Sequence, residues 1–130
     1  MPELGPTLEM PFSNLLGLIL TKQDKDHVTA KMLIRPELCT AGGFVHGGAL
    51  MAFADSVGAI ATVLNLPEGA QGTTTIESKT NFVRSVKPGE TVVSSTTPVH
   101  IGRRTQVWQT RLETEDGRLV ALVTQTQMIL

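Results

Sequence analysis

One acid stands alone in a long uncharged run: between Gly47 and Leu64 the only ionisable side chain is Asp55. The run opens with His46, Gly47 and Gly48. If a helix starts there, its first backbone N–H groups are unpaired and sit at the positive end of the macrodipole. Glycines at that point let a ligand oxygen approach those donors closely. A site for negatively charged oxygen combined with a carboxylate suits acyl transfer or hydrolysis. The simpler reading makes Asp55 a solvated helix residue. Its neighbours Ala52, Ala54, Val57, Gly58 and Ala59 supply no countercharge, however, and an unpaired buried charge is costly, so function is the better reason to keep it.

The element that must position these groups is a helix from Gly47 to Leu64. No break interrupts it, and Pro67 follows where it can end. Leu50, Phe53, Val57, Ile60 and Leu64 form one bulky apolar stripe; Gly48, Ala52, Asp55, Ala59 and Thr62 form a small-residue stripe facing the other way. Along this helix Gly47 and Asp55 lie roughly 12 Å apart, at about 1.5 Å per residue. One carbonyl cannot touch both across hydrogen-bond distances of about 3 Å. Two such helices, antiparallel about a two-fold axis, bring Gly47 of one chain against Asp55 of the other. A homodimer with two shared sites is the expectation.

The flanking chain reads as strands. Residues 1–10 are expected to be a loose leader, and Pro11 to Gly17 one or two helical turns. Leu18 to Lys22 and His27 to Ile34 pair as a hairpin about Asp24-Lys25-Asp26, and Glu37 to Val45 is a loop into the helix. Thr73 to Val86 alternates as a strand with one wet face, and Thr91 to Ile101 is the next. Thr105 to Thr114 and Arg118 to Leu130 are joined at Asp116-Gly117, a strong hairpin signal. Strands on either side of one apolar helix give an α+β domain spanning 1–130, its single antiparallel sheet curled round the helix.

Other functions find little support. A net charge of −1 gives no basic face for nucleic acid. No apolar run approaches the roughly 20 residues that cross a bilayer, and the N-terminus has no basic-then-apolar signal. The single cysteine, Cys39, has no internal partner, which fits a reducing cytoplasm; it reads as a small core residue rather than a nucleophile. Neither metal-spaced ligands nor a phosphate or dinucleotide glycine loop occurs, so no metal and no cofactor are expected.

The run Val45-His46-Gly47-Gly48, with Asp55 nine residues after the histidine, resembles the hotdog-fold acyl-CoA thioesterases. The likeness extends through Asn81-Phe82-Val83-Arg84, Lys87-Pro88-Gly89-Glu90 and Gly102-Arg103-Arg104-Thr105, and is nearest to the PaaI-like and Arthrobacter-type 4-hydroxybenzoyl-CoA branch. The resemblance implies a hotdog fold and an acyl-CoA substrate, with CoA part of the substrate and not a cofactor. It makes Asp55 the nucleophile or general base, and the Gly47 N–H the oxyanion donor. It also implies a homodimer and the family's habit of forming tetramers, a dimer of dimers.

The remaining candidates divide by type. His46 either caps the helix or polarises substrate; Gly48 and Met51 fall within reach of the acyl group, and Ser56 either orients a water or bonds its own helix. Relatives carry Asn or Gln where this chain has Thr40, a shorter group with one donor, and Ala59 replaces a hydroxyl that some relatives use. The latter difference favours a PaaI-like site. Arg84, Arg103 and Arg104 suit phosphate recognition, with Asn81, His100 and Gly102 beside them. Trp108 reads as sheet packing. Two other activities compete with hydrolysis of an aryl- or medium-chain acyl-CoA: a hotdog hydratase or dehydratase, and a non-catalytic acyl-CoA-binding module.

Overall fold

The structure is a computed structural model describing residues 10–130; the expected leader, Met10 apart, lies outside the described residues. Its elements are α1 (Pro11–Leu16), β1 (Ile19–Asp24), β2 (His27–Leu33), α2 (Gly47–Val63), β3 (Thr73–Phe82), β4 (Thr91–Ile101), β5 (Thr105–Thr114) and β6 (Leu119–Ile129). Gly17, at φ 79°, closes α1 in the left-handed conformation that glycine adopts most readily. The Arg35 guanidinium then donates to the Leu15 and Leu16 carbonyls at the same helix end.

All six strands make one antiparallel sheet in the order β1-β2-β4-β5-β6-β3. In β2, β4, β5 and β6 buried residues alternate with more exposed ones, as a sheet with one covered face requires. The cover is α2. Its Leu50, Phe53, Val57 and Ile60 pack into a core with Val28, Met32, Val92, Trp108, Leu112 and Val123 from the sheet. This is the hotdog arrangement, a long helix wrapped by a curved sheet. Trp108 is fully buried, and its Nε1–H donates to Gln106 Oε1 at 2.9 Å, so it packs the sheet face as its position suggests.

β3 behaves differently. It is an edge strand, none of its residues is fully buried, and a bulge between Thr75 and Glu77 interrupts its register. The bulge puts Thr75 and Ser78, three positions apart, on the helix side; simple alternation had set them on opposite faces. The strand also stops at Phe82 rather than Val86. The Val83 and Arg84 N–H groups both turn to one carbonyl, Val120 O, at 2.8 and 3.1 Å, which ends the ladder and lets Val86 swing into the core. The loop before α2 holds a 3₁₀ turn at Pro36–Leu38 and an isolated bridge between Cys39 and Val45.

Candidate active site

At the N-terminus of α2, His46 is the cap. Its backbone is extended (φ −71°, ψ 134°) and its Nδ1 accepts the Gly48 N–H at 2.8 Å. A ring nitrogen that accepts carries no hydrogen, so the exposed Nε2 of the neutral ring is the donor. Gly48's amide is therefore occupied within the chain. Gly47's amide has no acceptor among the described residues. Phe82 lies over it: a Cβ added at Gly47 would meet the ring at 3.1 Å. Gly47, Val45, Leu50, Phe82, Val83, Arg84 and Ser85 line a cavity of about 310 Å³.

Two turns along, Asp55 is half-buried and lines a second cavity, of about 280 Å³, with Met51, Ala52, Thr75 and Ser78. It is not unpartnered. Thr75 Oγ1 lies 2.6 Å from Asp55 Oδ1, and Gln125 Nε2 donates to the same oxygen at 3.3 Å. Gln127 stands behind them, its Oε1 at 2.5 Å from Thr75 Oγ1 and 2.9 Å from Gln125 Nε2. Gly58 makes room for this: a Cβ there would sit 2.2 Å from the Gln125 side chain. The sequence reading missed Thr75, Gln125 and Gln127. The available signal was two glutamines at alternate positions of a strand whose neighbours on that face, Ala121 and Val123, are apolar.

The other candidates scatter. His100, Gly102, Arg103 and Arg104 meet at the β4–β5 turn in a third cavity of about 800 Å³, while Arg84 belongs with Gly47. The three arginines are therefore not one cluster on a single chain. Ser56 Oγ donates to Ala52 O at 2.8 Å, within its own helix, rather than to the acid. Met51 is exposed at the rim of the Asp55 cavity, where it was expected to line the acyl site. Thr40 holds the neck of the loop before α2 through its backbone, its N–H on Phe44 O at 2.7 Å; Asn81 is exposed on β3. A further histidine, His27, lies 2.7 Å from Ser95 Oγ. The Lys22 ammonium donates to its Nδ1, so Nε2 gives a hydrogen to the serine and does not activate it.

The pattern of the thioesterase superfamily matches residues 42–121, which include both cavities on α2. The chain is similar to the 1,4-dihydroxy-2-naphthoyl-CoA hydrolase of Escherichia coli, 42% identical over 77 residues, covering 59% of this chain and 55% of that protein. It is similar in structure to the thioesterase HI1161 of Haemophilus influenzae, with TM-score 0.84 and 28% identity, covering 92% of this chain and 82% of that one. The PaaI protein of Escherichia coli shares the fold, with TM-score 0.86 at 19% identity, over 94% of this chain and 86% of its own. An acid on the central helix, a bare amide at its start and this family pattern agree: the chain belongs to the thioesterase superfamily and is a hotdog-fold thioester hydrolase.

Proposed function

We propose that the protein hydrolyses an aryl- or medium-chain acyl-CoA to the free acid and CoA, in sites shared between two subunits. The carrying observation is that the acid and the free amide line separate cavities on one helix. Asp55 of one subunit attacks the thioester carbonyl or activates a water that does, and the Gly47 N–H of the partner subunit steadies the oxyanion. The tetrahedral intermediate collapses by expelling the CoA thiolate. His46 Nε2–H, from the residue before Gly47, donates to the same oxygen. Arg103, Arg104 and His100 supply cationic and hydrogen-bonding groups for CoA phosphates at the third cavity, and the similarity to a naphthoyl-CoA hydrolase supports an aryl thioester.

The pairing is supported by what the chain leaves bare. Phe44 before α2, Met51 in its first turns, Ile76 and Phe82 on β3 and Val83 just after it are exposed, and β3 is an edge of the sheet. Complementation tests the reading. Asp55→Ala removes the acid, and Gly47→Pro removes the amide at the first helical position, where proline is tolerated. Each variant alone loses turnover by orders of magnitude, read as free thiol released from a panel of acyl-CoAs. Refolded together, they recover about a quarter of wild-type turnover, since half of the dimers are mixed and each has one intact site. No recovery on mixing rejects the shared site, and an active Asp55→Ala enzyme removes the acid from the reaction.

A further inference from the structure

Resting on Asp55 as the reacting acid, we infer that Thr75, with the buried Gln125 and Gln127 behind it, forms a positioning relay in which the Thr75 hydroxyl turns between two acceptors as Asp55 loses or gains a proton. The argument is a count of hydrogens. Thr75 has one hydroxyl hydrogen, yet its oxygen lies 2.6 Å from Asp55 Oδ1 and 2.5 Å from Gln127 Oε1.

Turning both amides only moves the conflict, setting the Gln125 oxygen against two Asp55 oxygens. Gln125 Nε2 lies 3.4 Å from the Asp55 main-chain oxygen and 3.3 Å from Oδ1; the main-chain oxygen only accepts, so Gln125 must present its nitrogen. That nitrogen also donates to Gln127 Oε1, so Gln127 presents its oxygen toward Gln125 and Thr75. The Gln127 nitrogen then faces Thr73 Oγ1 at 3.1 Å, and Thr73 spends its hydrogen on the Met128 carbonyl at 2.9 Å. Contacts to Asp55 O and Met128 O support this set of orientations, which leaves Gln125 Oε1 buried without a partner among the described residues.

Thr75 therefore faces two acceptors whenever Asp55 is ionised. A proton on Asp55 Oδ1 resolves the count: Asp55 donates to Thr75, and Thr75 donates to Gln127. When Asp55 is ionised, Thr75 donates to the carboxylate and Gln127 Oε1 keeps only the bond from Gln125. The two states differ by the turn of one hydroxyl, with no heavy atom displaced. Among the described residues of the chain no other charged group faces Asp55 on this side. β3 and β6 present Thr75, Ser78, Gln125 and Gln127 to α2, while Glu77 and Lys79 are exposed on the opposite face of β3, and α2 carries no second ionisable residue. Such a relay suits Asp55 as general base. The water O–H bond breaks, an Asp55 Oδ1–H bond forms, Thr75 swings its hydrogen to Gln127, and the proton later passes to the departing thiolate.

The test is a ¹³C NMR titration of the Asp55 carboxyl, assigned by its loss in Asp55→Asn, in wild type, Gln127→Met, Thr75→Val and Thr75→Ser. Gln127→Met deletes the acceptor that serves only the protonated state, so the midpoint falls. Thr75→Val deletes a bond to Asp55 in each state, and the charge-assisted one to the carboxylate is the stronger, so the midpoint rises, and Thr75→Ser restores it. Each shift is expected to be about half a pH unit or more, from the loss of one hydrogen bond. The acidic limb of kcat/KM moves with these midpoints. Unmoved midpoints, or shifts of the same sign in Gln127→Met and Thr75→Val, overturn the relay. If Gln127→Met does not fold, the Thr75 pair on the edge strand decides alone. Because the titration needs no turnover, opposite shifts alongside a fully active Asp55→Asn enzyme uphold the relay and reject only the catalytic reading.

Discussion

At the scale of single residues, one substitution can separate the His46 cap from the proposed donation to substrate. The Nδ1 cap on Gly48 is worth about 1 kcal/mol by analogy with other capping side chains, and asparagine caps comparably well. His46→Asn is therefore expected to melt close to wild type, whereas His46→Ala melts lower. A fall in kcat/KM in His46→Asn then measures the Nε2–H contribution to substrate alone; unchanged kinetics there would leave the histidine a cap only. Asp55 itself was legible in the sequence, because one charge in an otherwise uncharged helix needs no tertiary information to be noticed. Its partners were not. Thr75 and Gln125 are 20 and 70 positions away, and only the β3–β6 register, displaced by a bulge that no local signal announces, brings them to it.

At the scale of elements, α2 and β6 are fitted to each other through Gly58. Alanine normally gains about 1 kcal/mol over glycine inside a helix. Here its Cβ would meet Gln125 at 2.2 Å, so the side chain must leave and an overpacking cost of about 1–3 kcal/mol decides the sign. Gly58→Ala is expected to lower the melting temperature and the activity together, while Gly48→Ala, at the other end of the helix, disturbs only the His46 cap. The β5–β6 hairpin offers a pH-dependent test. The Thr114 hydroxyl donating to Asp116, helped by Arg118 at 3.1 Å, holds the Asp116 carboxyl below its ordinary value. A carboxyl depressed by folding adds stability above its unfolded value and loses it as pH falls through the folded one. Asp116→Asn should therefore lower the melting temperature at neutral and alkaline pH, converge with wild type at strongly acid pH, and so flatten the acid side of the profile. Turns such as Asp116-Gly117 and the Gly17 helix stop were readable because their chemistry is local; the end of β3 was not, because it depends on two amides competing for Val120 O.

At the scale of the whole molecule, one antiparallel sheet round a helix follows from one apolar helix and six strand-like runs, the resemblance implied the hotdog fold, and the structure bears both out. Composition said little about which edge of the sheet stays open. The order of strands leaves β3 outermost, next to both α2 cavities, so the surface through which the proposed partner subunit joins is also the surface on which chemistry is arranged. Swapping the exposed Phe82 and Val83 for serines is expected to shift the protein toward monomer in sedimentation, with turnover falling in step. A monomeric double variant with full activity would separate assembly from catalysis.

The bare amide of Gly47 and the acid of Asp55, held apart by two rigid turns, carry a consequence for anyone assaying this enzyme. Neither flexing nor a change of rotamer can bring them together, so under the proposed shared site a solitary chain turns over no substrate. Specific activity then becomes a gauge of self-association: it should decline on dilution, return on concentrating, and trace the dissociation constant of the pair.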